Sequence, residues 1–447
     1  MATAKTKAGA RGGSEVDLAW ELALAGKREE ALRRALAVFT KDPAQLSAVT
    51  LALELLAGAE RFTVVPDVAA RLVDGYVRRG DLPAAASAAK IADRAGGDGA
   101  GLRKRIAEAY GKGSKRLADD VAPSPPPLPA AHPMPADMKA LSGDALFARA
   151  ETELEAFLSS TDSVADGKVP RLPLFSSLVP KALEALLAAF ELRSVETGGV
   201  AITQGEEGRE AFVVVRGQLR AERRVEGQDE PTLLAVLGPG AIFGEMALVS
   251  ESPRAASVIA EEPVQLLAAS RAGLEALAQN EPVLGQELAA FCRSRMVANL
   301  VRHGMILAAV EPKHRDALMA RFETVTFQPG EKLVEEGKET EGLYLVASGG
   351  VRVQSKDGEG DRVVLAELGP GDVVGEISLV LRRPATATVV AMHPTVALHL
   401  PRAQFHEAIR EHSSLLSQLY ELATKREEET RSVVAQQALD VEEIVLL

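Results

Sequence analysis

Apolar residues recur at helical spacing from Glu15 to about Leu117, and polar or turn-forming residues interrupt this pattern at intervals. The interruptions fall at residues that end helices or form turns: Gly26, Asp42-Pro43, Pro66, Gly80-Asp81 and Gly96-Gly97. The pattern predicts an array of five or six helices, arranged as hairpins, over residues 14–117. Residues 1–13 show no periodicity and are expected to form a disordered tail.

Two of the interruptions share a spacing. Gly26 is followed five residues later by Ala31, and Gly80 is followed five residues later by Ala85. A small residue at a turn and another where two helices cross allow close helix packing. Together with Pro43, twelve residues after Ala31, this spacing resembles the tetratricopeptide repeat, although the large residues of that repeat are mostly absent. An ordinary helical bundle remains the alternative.

A proline-rich stretch follows the helical array. The segment VAPSPPPLPAAHPMPAD (121–137) contains seven prolines. Because proline fixes φ and cannot donate a backbone hydrogen bond, this composition predicts an extended linker over 118–139. A connecting helix is expected within 140–169, from Ala140 to Leu158.

After Pro170 the pattern changes to short Val, Ile and Leu runs separated by glycine-containing turns, which is typical of antiparallel β structure. The pattern occurs twice. LAVLGPGAIFGEMALV (234–249) matches LAELGPGDVVGEISLV (365–380) at most positions, with an offset of 131 residues. The sequence therefore predicts a duplicated β module. We expect the copies at 170–300 and 301–412, a long helical stretch between them over 282–310, a charged helix over 402–437, and a C-terminal helix and tail over 413–447.

The first copy carries residues suited to a ligand with both hydroxyl and phosphate groups. Glu245 can accept hydrogen bonds from a sugar hydroxyl, and Arg254 offers a planar fork of donors for a phosphate. A short helical turn presents free N–H groups to an anion. Small residues let the ligand approach the backbone. The full candidate set is Gly244, Glu245, Met246, Ala247, Arg254, Ala255 and Ala256.

The first cassette, FGEMALVSESPRAASV (243–258), resembles the phosphate-binding cassette of the cyclic nucleotide-binding domain family. That family includes the regulatory subunits of cAMP-dependent protein kinase and the bacterial catabolite activator. The resemblance covers about 174–277 and again 305–409. It implies an eight-stranded β-roll with flanking helices that move when ligand binds. The expected fold is multidomain: an all-α array, then two β-rolls of the double-stranded β-helix or jelly-roll type.

The resemblance also implies roles for matching residues. Glu245 matches the glutamate that binds the ribose 2′-hydroxyl, and Arg254 matches the arginine that pairs with the cyclic phosphate. Gly244, Ala247 and Ala255 match backbone contacts. In the family a Thr or Ser directly after the arginine favours cGMP, so Ala255 favours cAMP. In the family the base-capping residue comes from the helix after the roll or from a neighbour, and Phe291 and Met296 are both candidates in that helical segment.

The second cassette, VGEISLVLRRPATATV (374–389), departs from this pattern. It keeps Gly375 and Glu376, but Ala385 stands where Arg254 stands in the first. Loss of the arginine removes the main charge-assisted phosphate contact, and we expect a degenerate pocket with a structural or relay role. Weak binding of a different ligand is the alternative. Arg382 and Arg383 either reach this pocket or form a solvated surface. The candidate set is Gly375, Glu376, Ser378, Arg382, Arg383, Ala385 and Thr386.

Composition excludes several classes of function. The net charge of −12 argues against a nucleic-acid backbone as the main partner. No run approaches the ~18 apolar residues of a membrane-spanning helix, so membrane insertion is not expected. The single Cys292 cannot form an internal disulfide, which fits a cytoplasmic protein. The seven histidines lack metal-site spacing, and no nucleophile-elbow, Walker or kinase motif occurs, so neither a metal, a cofactor nor catalysis is expected.

Two hypotheses of different class follow. The first is a non-catalytic receptor whose only small ligand is cAMP or cGMP, with an unidentified protein partner on the N-terminal helices. The second is a scaffold or assembly subunit whose two rolls bind no nucleotide. Neither hypothesis fixes the oligomeric state.

Overall fold

The computed structural model describes most of the chain: residues 14–123, 134–160, 167–224, 230–248, 253–303, 309–356 and 362–445. The predicted tail (1–13) and the centre of the predicted linker (124–133) lie outside the described residues.

The N-terminal region contains six helices, as the periodicity predicts. In chain order they are α1 (Glu15–Leu24), α2 (Arg28–Phe39), α3 (Leu46–Ala57), α4 (Val65–Arg79), α5 (Leu82–Arg94) and α6 (Gly99–Tyr110). Each packs against the next. Pro66 does not break a helix but lies in the first turn of α4, where its missing N–H costs no intrahelical hydrogen bond.

Local sequence explains where these helices begin and how closely they pack. Ser14 and Asp17 form a reciprocal capping box on α1, and Asp81 and Asp98 cap α5 and α6. The two small residues singled out by spacing, Ala31 and Ala85, have no exposed surface. They are therefore packed inside the array.

A further helix joins the array after the proline-rich stretch. The short α7 (Ala136–Ala140) precedes α8 (Gly143–Ser159), which starts three residues later than predicted. Helix α8 packs against α2, α3 and α4. Two short strands, β1 (Leu117–Ala118) and β2 (Val169–Pro170), pair in parallel.

The first roll has eight strands in two four-stranded sheets. Helix α9 (Pro180–Ala189) precedes the roll, and α10 (Arg271–Asn280) and α11 (Pro282–His303) follow it. The sheet orders are β3-β10-β5-β8 and β4-β9-β6-β7. The strands are β3 (Glu191–Val195), β4 (Val200–Ile202), β5 (Glu210–Arg216), β6 (Leu219–Arg223), β7 (Thr232–Leu237), β8 (Ile242–Phe243), β9 (Ser257–Ala260) and β10 (Val264–Ser270).

The second roll repeats this topology, with sheets β11-β18-β13-β16 and β12-β17-β14-β15. Helix α12 (Pro312–Met319) precedes it, and α13 (Glu376–Leu381) lies within it. The strands are β11 (Glu323–Phe327), β12 (Lys332–Val334), β13 (Gly342–Ser348), β14 (Val351–Lys356), β15 (Arg362–Leu368), β16 (Val373–Val374), β17 (Thr388–Ala391) and β18 (Thr395–Pro401). The sequence prediction of two β-rolls is confirmed.

The prediction of one helix over 402–437 is wrong. The chain forms α14 (Arg402–Glu411) and then α15 (Ser413–Val445), because His412 leaves the helical conformation between them. Leu415 and Leu419 of α15 are buried in the same core as Met296 of α11 and Phe405 of α14.

The chain divides into two compact units. The first comprises residues 1–202, 211–243 and 257–288, and the second comprises 203–210, 244–256 and 289–447. Most of the first cassette thus belongs to the second unit. Within the described residues, no helix combines the length and apolar character needed to cross a bilayer.

Within the first unit, the helical array meets the first roll through buried polar groups. Arg216 of β5 ion-pairs with Asp17 of α1 at 2.5 Å, and its guanidinium lies 4.9 Å from the centre of the Trp20 ring. Gln265 of β10 donates to Glu54 Oε1 at 2.5 Å, and its amide oxygen accepts from Ser87 Oγ at 3.1 Å. Because buried polar groups need matched partners, these contacts fix the array on the roll.

Candidate functional site

The second residue of each cassette is a glycine in the left-handed region. Gly244 has φ 73° and leads into a 3₁₀ turn, Glu245–Leu248. Gly375 has φ 89° and leads into α13. A Cβ on Gly375 would lie 2.7 Å from the Gly342 carbonyl oxygen. Only glycine combines this backbone conformation with so close an approach, so the residue sets the entry to the turn.

Glu245 is held in place from two sides. It is 4% exposed, and its Oε1 lies 3.4 Å from Nε of Arg295 on α11. Its carbonyl oxygen accepts from Cys292 Sγ at 3.5 Å. Burial and the charge of Glu245 raise the pKa of Cys292 to about 12. The first cassette is thus tied to α11 through both the side chain and the backbone of Glu245.

Arg254 turns its guanidinium toward backbone carbonyls. Nη1 donates to the Gly244 oxygen at 2.9 Å, and Nη2 donates to the Glu210 oxygen at 2.8 Å. Burial lowers the pKa of Arg254, while the charges of the nearby carboxylates Glu210, Glu245 and Glu206 act in the opposite direction. The fork is therefore half-buried, pre-positioned beside Gly244, and chemically suited to an anion that supplies two acceptors.

The other first-cassette residues surround this pair. Met296, one of the two base-cap candidates, is buried in a hydrophobic core. Met246 packs against the same core. Phe291 is partly buried. Ala255 is exposed and Ala256 is partly buried. Ala247 lies in the 3₁₀ turn, but its side chain lies outside the described residues.

The second cassette holds its glutamate more tightly. Glu376 is 2% exposed, and its Oε1 accepts from Arg426 Nη1 of α15 at 2.9 Å. The same nitrogen donates to the Val373 carbonyl. A buried carboxylate needs such a partner, because an unpaired charge away from water is costly. Arg426 therefore already forms an ion pair with the carboxylate of Glu376, which is the residue that matches Glu245.

Backbone hydrogen bonds confirm that Ala385 occupies the structural position of Arg254. In the first roll, Gly205 N donates to Arg254 O at 2.9 Å and Arg254 N donates to Glu206 O at 2.8 Å. In the second, Gly337 N donates to Ala385 O at 2.9 Å and Ala385 N donates to Lys338 O at 2.8 Å. The Ala385 methyl is buried in the core of the second roll. The backbone frame is retained, and the guanidinium of Arg254 has no counterpart at this position.

The neighbouring arginines of the second cassette do not replace it. Arg383 ion-pairs with Glu427 of α15. Arg382 is exposed and adopts a left-handed conformation at the end of α13. Ser378 Oγ donates to the Arg383 carbonyl at 2.7 Å, and the Thr386 carbonyl accepts from Ser355 Oγ. These contacts fix the loop itself and favour the interpretation that the two arginines form a surface.

The sequence interpretation missed both helix arginines. Arg295 and Arg426 are separated by the same 131 residues as Glu245 and Glu376. The sequence did contain a signal for them. When the alignment of the two copies is extended into the following helices, Arg295 and Arg426 occupy equivalent positions. Among the described residues, no group of three or more His, Cys, Asp or Glu side chains is placed to hold a metal ion.

Two segments of the chain, 192–281 and 324–412, match the family model described as "Cyclic nucleotide-binding domain". The segments coincide with the two rolls. The chain carries two cyclic nucleotide-binding domains in tandem. We name them domain 1 and domain 2 in chain order.

Relatives share the tandem region. A cAMP-dependent protein kinase regulatory subunit from Dictyostelium discoideum is 29% identical over 236 residues, which are 52% of this chain and 69% of that protein. One from Debaryomyces hansenii is 29% identical over 234 residues, 52% of this chain and 48% of that protein. A crystallised regulatory domain of Toxoplasma gondii protein kinase A with cAMP is 25% identical, covers 56% of this chain and 92% of that chain, and has a TM-score of 0.28.

Proposed function

We propose that the chain is a non-catalytic cyclic-nucleotide sensor that binds its ligand in domain 1. The observation that carries the proposal is that the half-buried Arg254 guanidinium donates to the Gly244 carbonyl, directly before the buried Glu245. In the proposed complex, a cyclic phosphate replaces the Gly244 and Glu210 carbonyls at the fork, and a ribose hydroxyl donates to Glu245. Ala255 at the following position favours cAMP over cGMP.

Domain 2 is proposed to relay rather than to bind. Ala385 supplies no phosphate contact, and Arg426 holds Glu376 at 2.9 Å, closer than the 3.4 Å between Arg295 and Glu245. The proposed division of the chain is the array at 14–117, the linker at 118–139, the connecting segment at 140–169, domain 1 at 170–300, domain 2 at 301–412, and a C-terminal helix and tail at 413–447.

We also propose that the output is read by a protein held on the helical array, in the cytoplasm. The contacts of Asp17 and Glu54 with strands of the first roll support this output. A partner on the array would then be connected to strands of the first roll through these contacts. The relatives are regulatory subunits of a kinase, and a kinase catalytic subunit is one partner of this kind.

Thermal unfolding with and without nucleotide tests the proposal. A ligand that binds only the folded state at a hundred times its Kd stabilises by about 2.7 kcal/mol, so cAMP should raise Tm by several degrees. Arg254→Ala should lose this shift. Arg209→Ala, which removes an arginine from an 80% exposed site in the adjacent segment, should keep it. A wild-type Tm unchanged by millimolar cAMP and cGMP would instead support the scaffold hypothesis.

A further inference from the structure

A groove on the second roll joins a cationic end to an apolar end. Two neighbouring cavities of about 440 and 430 Å³ share the side chains of Leu379, Arg382, His406 and Ile409. We call their union the α13–α15 groove, because its walls come mainly from α13, α14 and α15. Neither Glu376 nor Ala385 lines either cavity. The groove thus shares Arg382 and Arg383 with the second cassette but not the positions that match Glu245 and Arg254.

The cationic end carries more arginines than carboxylates. Arg402 ion-pairs with Glu339 at 2.9 Å, and Arg383 ion-pairs with Glu427. The backbone N–H of Arg382 donates to the Ser378 carbonyl, but its guanidinium forms no ion pair or hydrogen bond with the described residues. Arg410 donates from Nε to the His406 carbonyl and has no carboxylate partner among them. Two guanidinium groups are therefore available to an incoming anion.

The other end of the groove is apolar and open to solvent. Leu416 is 37% exposed and Tyr420 is 54% exposed, both on the first turns of α15. They continue the surface begun by Leu379 and Ile409, and Glu421 lies at the far side. Exposed large apolar side chains beside a charged rim are typical of protein-interaction surfaces.

We propose that the α13–α15 groove docks a peptide segment of a partner protein in which carboxylates neighbour an apolar side chain. Charge complementarity selects this occupant, because guanidinium groups bind carboxylates through paired hydrogen bonds. The adjoining apolar surface accommodates Leu or Phe next to the acids. The chain as a whole carries a charge of −12, so recruitment of an acidic peptide requires a local excess of cations such as the one in this groove.

The shape of the groove favours a peptide over a compact ligand. Three helix surfaces form an open trough, which is the usual setting for helix-in-groove or extended-peptide recognition. Arg382 also holds a left-handed conformation (φ 52°) that non-glycine residues rarely adopt. Such strained residues cluster at functional sites.

Selection from random peptides tests the proposal without assuming a sequence. The full chain is used to enrich phage-displayed random dodecapeptides, and enriched peptides are resynthesised with a fluorescent label for polarisation measurements. The expected consensus contains Asp or Glu next to Leu or Phe. Arg382→Glu, Arg410→Glu and Tyr420→Ser should each weaken binding tenfold or more. Arg362→Glu, an equal charge change at an exposed position of β15, should leave binding unchanged.

Several outcomes would overturn the proposal. Enriched peptides without an acidic excess would do so, as would affinities equal in wild type and the three groove variants. If Arg362→Glu weakened peptide binding as much as the groove variants do, the loss of affinity would come from overall charge and not from the groove. Binding of a single-stranded oligonucleotide to the groove, with no binding of any selected peptide, would show that the partner is a nucleic acid and not a peptide.

Discussion

Arg426 and Glu376 form a buried ion pair, with Nη1 donating to Oε1 at 2.9 Å. The same pair occurs 131 residues earlier as Arg295 and Glu245, at 3.4 Å and with a more exposed arginine. Both arginines come from the helix that follows the roll. Duplication therefore retained a helix-to-cassette contact in both domains, whereas the cassette arginine, Arg254, has an alanine, Ala385, at its position in domain 2.

Removal of Arg426 should strongly destabilise the second unit. Arg426→Ala leaves the buried carboxylate of Glu376 without its cation, and breaking a buried pair in this way costs about 3–5 kcal/mol. Urea denaturation measures the free energy of unfolding. The matched control is Arg352→Ala, which removes an exposed pair with Glu367 and should cost less than about 1 kcal/mol. Equal costs for the two variants would contradict the structural role of Arg426.

The stability of the first unit should depend on the protonation of Glu54. Burial raises the pKa of Glu54 to about 7, although the charges of Arg94 and Arg216 and the hydrogen bond from Gln265 oppose the rise. The folded chain therefore holds this proton more tightly than the unfolded chain does. The resulting stability is greatest at acidic pH, falls as pH rises from about 4.5 to about 7, and is lost above that range.

Glu54→Gln should remove this dependence while keeping a hydrogen-bonding amide beside Gln265. Relative to wild type, the variant should gain about 3 kcal/mol in the free energy of unfolding between pH 4.5 and pH 8. Glu21→Gln, an exposed position on α1, is the control and should show no such relative gain. A Glu54→Gln variant whose stability follows wild type at every pH would contradict a protonated Glu54.

Cys292 should react slowly with thiol reagents in the folded chain. Its thiol is fully buried, and a pKa of about 12 instead of 9 reduces the thiolate fraction at pH 8 roughly a thousandfold. Because the chain has one cysteine, the labelling signal belongs to this site alone. Alkylation in buffer and in concentrated urea gives the comparison. Folded-state labelling within tenfold of the unfolded rate would contradict the burial of Cys292 against Glu245.

Local patterns in the sequence were sufficient to predict the helices and the two rolls, and they singled out Glu245 and Arg254 as candidate site residues. Helical periodicity and β alternation are set by neighbouring residues, and both site residues lie on one short segment. The break at Pro66 was misplaced because proline is compatible with the first turn of a helix. The turn at His412 was missed because the amphipathic pattern continues across it.

Contacts between distant segments could not be predicted in the same way. Arg216 and Asp17 are 199 residues apart, and Gln265 and Glu54 are 211 apart. No local spacing connects such pairs. Glu54 does stand alone in the apolar run LALELLA, which marks a buried polar group but does not identify its partner. The helix arginines Arg295 and Arg426 lie between these two cases. Local spacing does not identify them, but a comparison of the two copies does.

Isothermal titration calorimetry of the full chain with cAMP tests the central claim most directly. The account predicts one nucleotide per chain, a complete loss of binding in Arg254→Ala, and unchanged binding in a folded Glu376→Gln variant. Two nucleotides per chain, or one that still binds to Arg254→Ala, would contradict it.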